Sequence, residues 1–131
     1  MLRRIHADRP IAVDIAIPAG LAVAIDAQDL DEMIGNLLDN AWRHARAALA
    51  ISAAAADGVV TLDVADDGEG IDDAAIAQAM LPGRRLDERG DGHGFGLSIT
   101  RELAELSGGT LVLGRSTTGG LLARLSLPLR A

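Results

Sequence analysis

Asn36, Asn40 and Arg43 follow one another at steps of four and three along the stretch 30–45, and two amides and a guanidinium with such spacing can do chemistry together. Leu30, Met33, Ile34, Leu37, Leu38, Ala41 and Ala45 set an apolar rhythm of three- and four-residue steps through the same stretch, which predicts an amphipathic helix. On that helix the two amides stack one turn apart and the guanidinium continues their ridge, beside the buried stripe. Amide oxygens are hard, neutral ligands suited to Mg²⁺, and arginine suits phosphate oxygens, so the ridge points to a metal-bearing nucleotide. Read alone, such a ridge is more often a solvated helix face.

Two glycine stretches add chemistry of their own. Asp66-Asp67-Gly68-Glu69-Gly70-Ile71 leaves the end of a predicted strand, and Gly92-His93-Gly94-Phe95-Gly96-Leu97 opens a predicted helix. Glycine lets a backbone approach a ligand closely, and the free amides at a helix start make an anion site. The second stretch reads equally as a flexible hinge, and its spacing is not that of a dinucleotide fingerprint. An ionised Asp66 accepts hydrogen bonds and donates none, so above an apolar floor it could select an exocyclic amino group such as adenine's. The alternative is a turn aspartate capping its own backbone.

These groups need a frame, and the chain supplies one in order. Residues 1–9 read as an incoming tail closed by Pro10; 10–17 alternate as a strand, and Leu21 to Ile25 is a shorter strand candidate. Asp26 or Gln28-Asp29 starts the central helix. Leu49 to Ala54 is alanine-rich, yet Asp57-Gly58 is a hairpin signal and Val59 to Val64 is plainly extended, so both flanks are predicted strands. Asp72 to Met80 reads as a short helix and Leu81 to Gly92 as a mobile loop rich in glycine and charge. Leu97 to Leu106 is a helix ended by Ser107-Gly108-Gly109, and Thr110 to Leu113 with Leu121 to Leu127 form a closing hairpin.

With 131 residues there is room for one core. That core must be built from Ala, Leu, Ile and Val, because hydrophobic residues make up 49% but include one Trp, one Phe and no Tyr. A net charge of −7 and no aromatic platform argue against a nucleic-acid binder. No apolar run approaches the roughly 20 residues of a membrane helix. The lack of cysteine excludes disulfides and thiolate metal sites. Local positive charge comes from Arg84, Arg85 and Arg89.

Taken together, Gly35-Asn36-Leu37-Leu38-Asp39-Asn40-Ala41, the Asp66 stretch and the Gly92 stretch resemble the asparagine box and two glycine boxes of the ATP-binding catalytic domain of bacterial two-component sensor histidine kinases. Their superfamily also includes type II topoisomerases and mismatch-repair ATPases. The resemblance covers about residues 10–129 and ends in Gly119-Gly120 before a strand closing at Leu127-Pro128. It implies a two-layer α/β sandwich of the Bergerat type: a mixed sheet of about five strands, about three helices on one face, and ATP under a flexible lid formed by Leu81 to Asp91. By resemblance Asn40 ligates Mg²⁺, Asn36 sits beside the phosphates, and Arg43 reaches toward them. Asp66 takes the adenine amino group, with Gly68 and Gly70 admitting the base against Ile71 and Ala41, and His44 is a ribose or base contact. Gly92, Gly94, Gly96 and Leu97 form the phosphate loop, and Arg85 with Arg84 or Arg89 clamps the γ-phosphate.

Where the superfamily's hydrolases carry a water-activating glutamate, this chain has Asn36, and an amide cannot act as a general base. The expected activity is therefore donation of the γ-phosphoryl group to a histidine on a separate dimerisation domain, with a response regulator downstream. Residues 1–9 resemble the connector leaving that domain, so residues 10–131 are expected to be a cytoplasmic part of a longer, membrane-bound sensor. The phenylalanine box usual before the lid is replaced by Ala79-Met80-Leu81, and the threonine frequent after Gly119-Gly120 by Leu121. A serine kinase of the anti-sigma type shares these boxes, and a degenerate interaction module is the alternative outside enzymes.

Overall fold

Asp57 and Gly58 both adopt left-handed backbone, with φ of 53° and 77°, the geometry of the two-residue turn whose twist matches a β-hairpin. The computed structural model, which describes residues 10–70, 74, 77 and 96–130, builds outward from that hairpin. Its arms are β2, Ala48–Ala56, and β3, Val59–Asp66, in antiparallel register from Leu49↔Asp66 to Ala56↔Val59. Alanine prefers helix by itself. Here cross-strand pairing along the whole of β2 overrides that preference.

The remaining strands are β1, Ala12–Ala16, β4, Thr110–Arg115, and β5, Leu121–Pro128. The sheet runs β1-β2-β3-β5-β4, with β1 parallel to β2 and every other pair antiparallel, so it is mixed and five-stranded as expected. The parallel pair requires a crossover, and helix α1, Ala27–His44, supplies it. Among the described residues the second helix is α2, Gly96–Leu106. The predicted helix Asp72 to Met80 lies outside the described residues except at Ala74 and Ala77, which are helical. The tail 1–9 and the lid Leu81 to Asp91 also lie outside them.

One expectation needs correcting. Leu21 to Ile25 forms no strand and makes only a single bridge, Val23↔Leu129. Its partner is the short run beyond β5, reached by Ala24 N–H to the Pro128 carbonyl and Arg130 N–H to the Ala22 carbonyl, each 3.0 Å. Asp26 then begins α1, its carboxylate accepting the Gln28 N–H at 3.1 Å, so the chain turns before a ladder can grow.

Both helices cover the same sheet face. Alternate residues of β3 and β5 point inward, Val60, Leu62 and Val64 against Leu121, Ala123, Leu125 and Leu127. They meet Met33, Leu37, Ala41 and Trp42 of α1 and Leu97 and Ala104 of α2. Each large side chain so buried contributes roughly 1.5–3 kcal/mol. α2 stops in a Schellman motif: Gly108 has φ +85°, Gly109 N–H donates to the Ala104 carbonyl at 2.7 Å and Gly108 N–H to that of Glu105 at 3.2 Å. The layer arrangement is the expected α/β sandwich.

Candidate functional site

Because α1 runs unbroken through residues 27–44, Asn36, Asn40 and Arg43 do share one ridge. The α1 residues Asn36, Asp39, Asn40 and Arg43 line a small open cleft whose other wall is Gly96 and Leu97 at the start of α2. Leu97 is buried in that wall. Asp39 was missed from sequence, although positions 36, 39, 40 and 43 are a complete helical ridge by spacing alone.

Asp66 ends β3 with its side chain buried, 2% exposed. Its Oδ1 accepts the backbone N–H of Gly68 at 2.9 Å and of Leu121 at 3.3 Å. The first bond is the capping turn anticipated as an alternative. The second ties the carboxylate to β5. The Asp66 backbone carbonyl in turn accepts the hydroxyls of Ser116 at 2.8 Å and Thr118 at 3.0 Å, so the β4–β5 turn is fastened to it as well. Ser116 Oγ also accepts the Gly120 N–H at 3.2 Å.

Glycine is required around this carboxylate for lack of space. A Cβ on Gly68 would collide with the His44 carbonyl, and one on Gly120 with Asp66 Oδ1 and its backbone oxygen. Gly70 has φ +74°, and its Cβ would stand 2.8 Å from the Gly119 carbonyl. The backbone is thus drawn tightly about a buried acceptor, as a flat ligand edge would need.

The ridge and the carboxylate turn meet at the end of α1, where the His44 carbonyl packs on Gly68. From there back to Asn36 the helix covers about 12 Å. The His44 ring is exposed and its Nδ1 lies 2.8 Å from the Asn40 carbonyl. A carbonyl only accepts, so Nδ1 carries the proton and donates back to its own helix. The His44 side chain is not among the groups lining the cleft. Ile71, Arg84, Arg85, Gly92 and Gly94 lie outside the described residues.

Asp67, beside the candidate, holds the exit of α1. Its carboxylate accepts the Arg46 N–H at 2.8 Å and the Ala47 N–H at 3.1 Å. Desolvation pushes its pKa up, but the bonds from the backbone of Ala47, Arg46 and Ala48 outweigh that and leave it below the ordinary carboxylate value of 3.8. No signal in the sequence announces this contact, because its partners are some 20 residues earlier in a loop.

The donor set suits a magnesium nucleotide. Hard oxygens come from the amides of Asn36 and Asn40 and the Asp39 carboxylate, a cation from Arg43, and a hydrogen-bond acceptor in a glycine cradle from Asp66. Among the described residues no group of three His, Asp or Glu side chains forms a cage for a metal ion.

An α/β sandwich with this amide ridge and glycine-cradled carboxylate defines a class, and the chain belongs to the histidine kinase-, DNA gyrase B- and HSP90-like ATPase family, whose model matches residues 25–131. Its relatives are sensor kinases. It is 43% identical to the sensor protein kinase CarS of Pseudomonas aeruginosa over 129 residues, 98% of this chain and 29% of that protein. The chain therefore spans less than a third of that relative. The catalytic domain of the histidine kinase ThkA superposes with a TM-score of 0.87 at 20% identity, covering 97% of this chain and 85% of that one. Full-length ShkA in complex with AMPPNP superposes with a TM-score of 0.80 at 24% identity, covering 95% of this chain and 27% of that one. The last two establish the fold.

Proposed function

We infer that this chain binds ATP with Mg²⁺ and presents the γ-phosphoryl group to a histidine on a separate dimerisation domain, as the cytoplasmic catalytic part of a membrane-bound two-component sensor kinase. The observation that carries the reading is the union, at one end of the sheet, of a buried Asp66 in its glycine cradle with the amide and guanidinium ridge of α1. Kinship with sensor kinases and likeness in fold to a protein solved with an ATP analogue support it.

In this reading Asp66 accepts the adenine amino group, and Gly68 and Gly70 leave room for the base beside Ala41 and Ile71. Asn40 is the metal ligand, Asn36 stands beside the phosphates and Arg43 neutralises them, with Arg85 and either Arg84 or Arg89 closing on the γ-phosphate and Gly92, Gly94 and Gly96 wrapping it. His44 is kept as a contact near the ribose. Bound Mg²⁺ supplies charge neutralisation on the phosphate oxygens; positioning by the chain's own residues supplies the rest. With Asn36 in place of a base, water is not activated, and the nucleotide waits for its acceptor. A response regulator would then receive the phosphoryl group.

Titration calorimetry of ATP, with and without Mg²⁺, tests the reading. Wild type is expected to bind in the micromolar range, about −8 kcal/mol. Asn40→Ala should lose the magnesium dependence, and no steady phosphate release should accompany binding. Absence of ATP binding by wild type would sink the proposal in favour of a docking module.

A further inference from the structure

Asn36 Nδ2 lies 3.3 Å from Thr100 Oγ1, and Thr100 Oγ1 lies 2.8 Å from the Gly96 carbonyl one turn earlier on α2. Thr100 is 0% exposed, so these are the contacts open to its hydroxyl rather than water. A hydroxyl has one proton. The shorter contact is to a carbonyl, which can only accept, so the proton goes to Gly96. Thr100 Oγ1 is then an acceptor toward Asn36, and the atom of Asn36 facing it must be the amide nitrogen. The chemistry of the pair fixes which way the amide is turned. Its Oδ1 is left beside Gly96, where an added Cβ would stand 3.8 Å away, and both residues line the cleft.

We propose that Thr100 is a positioning residue for Asn36: its buried hydroxyl, committed to the Gly96 carbonyl, holds the Asn36 amide with its oxygen toward the cleft, facing a divalent cation or that cation's water. This rests on the nucleotide reading above and deepens it. Asn36 and Asn40 then present oxygen from successive turns of one helix. If the amide were reversed, an N–H₂ group would face the cation and oppose it. No residue on α1 itself makes this choice; it is imposed from α2, across the interface between the helices.

Thr100→Val keeps the branched shape and removes the hydroxyl, while Thr100→Ser keeps the hydroxyl and removes the methyl. Calorimetry of ATP into the 131-residue chain, once with Mg²⁺ and once with EDTA, separates metal-dependent from metal-independent affinity. Thr100→Val should lose about 3- to 10-fold in affinity with Mg²⁺ and stay within about two-fold of wild type in EDTA, and Thr100→Ser should restore the Mg²⁺ value. A general packing defect would lower both conditions alike. Wild-type metal dependence in Thr100→Val, or equal loss in both conditions, overturns the inference.

A second arm needs no nucleotide. In NMR spectra of the free chain, the Asn36 side-chain amide protons should show cross-relaxation to the Thr100 methyl group and slowed solvent exchange, with the exchange protection lost in Thr100→Val. Absence of that proximity overturns the proposal whatever the calorimetry gives. Failure of wild type to take up ATP removes the proposed function instead, and this arm still decides the orientation.

Discussion

Asp66 Oδ1 accepts the backbone N–H of Leu121, 55 residues further along the chain, at 3.3 Å. The carboxylate is thereby part of the junction between β3 and β5 as well as the centre of the glycine cradle. Removing it should cost stability and, on the proposed function, ATP binding together. Asp66→Ala orphans the N–H groups of Gly68 and Leu121 and should lose roughly 1–3 kcal/mol in urea denaturation. Asp66→Asn can keep its oxygen on those donors but offers an amide to the base. It should remain folded with ATP affinity down at least about ten-fold by calorimetry.

Two glycines distinguish a steric need from a mere propensity. Gly35 lies within α1, and an added Cβ there meets nothing within 4 Å. Gly35→Ala should stabilise the chain by about 0.5–1 kcal/mol without changing ATP affinity. Gly70, at φ +74° and hard against the Gly119 carbonyl, should respond in the opposite sense. Gly70→Ala is expected to lower the thermal midpoint and weaken ATP binding, and equal effects of the two substitutions would contradict the cradle.

The lowered pKa of Asp67 makes a pH prediction. The folded chain releases this proton more readily than the unfolded one, whose reference is 3.8. The ionised carboxylate therefore adds stability above that value and loses it as pH falls through the lower folded pKa. The group is only partly buried, so solvent screening limits the effect to at most about 1 kcal/mol. The gap in unfolding free energy between wild type and Asp67→Asn should be present at about pH 6 and close on acidification below 3.8.

Ser116 is buried, and its Oγ donates to the Asp66 carbonyl while accepting from Gly120 and Thr118. Ser116→Ala should cost roughly 1–2 kcal/mol by denaturation and shift the backbone amide signals of Asp66 and Leu121. Unchanged signals at both residues would count against the fastening of this turn to the carboxylate.

The sequence carried α1 in its apolar rhythm, the hairpin in Asp57-Gly58 and the end of α2 in Gly108-Gly109, because each is a local preference written into neighbouring residues. β2 was legible only through its turn, since its alanines by themselves favour helix. The single bridge of Val23 was misread as a strand, as pairing depends on where the partner runs out. Within the site, Asn36, Asn40, Arg43 and Asp66 stood out by residue type and spacing. Thr100, Ser116 and the anchoring by Asp67 did not, because their partners are brought near only by the fold.

α1 presents two faces, Met33 and Leu37 rooted in the core and Asn36 and Asn40 bordering the cleft, on a single rigid rod. If the chain binds ATP as proposed, a screen for lost ATP binding would therefore return substitutions at Met33 as well as at Asn40. A smaller side chain under the rod lets it settle, and every group on its upper side moves with it. Such alleles would look alike in the cell; a second-site enlargement in the facing strands could rescue the first kind and never the second.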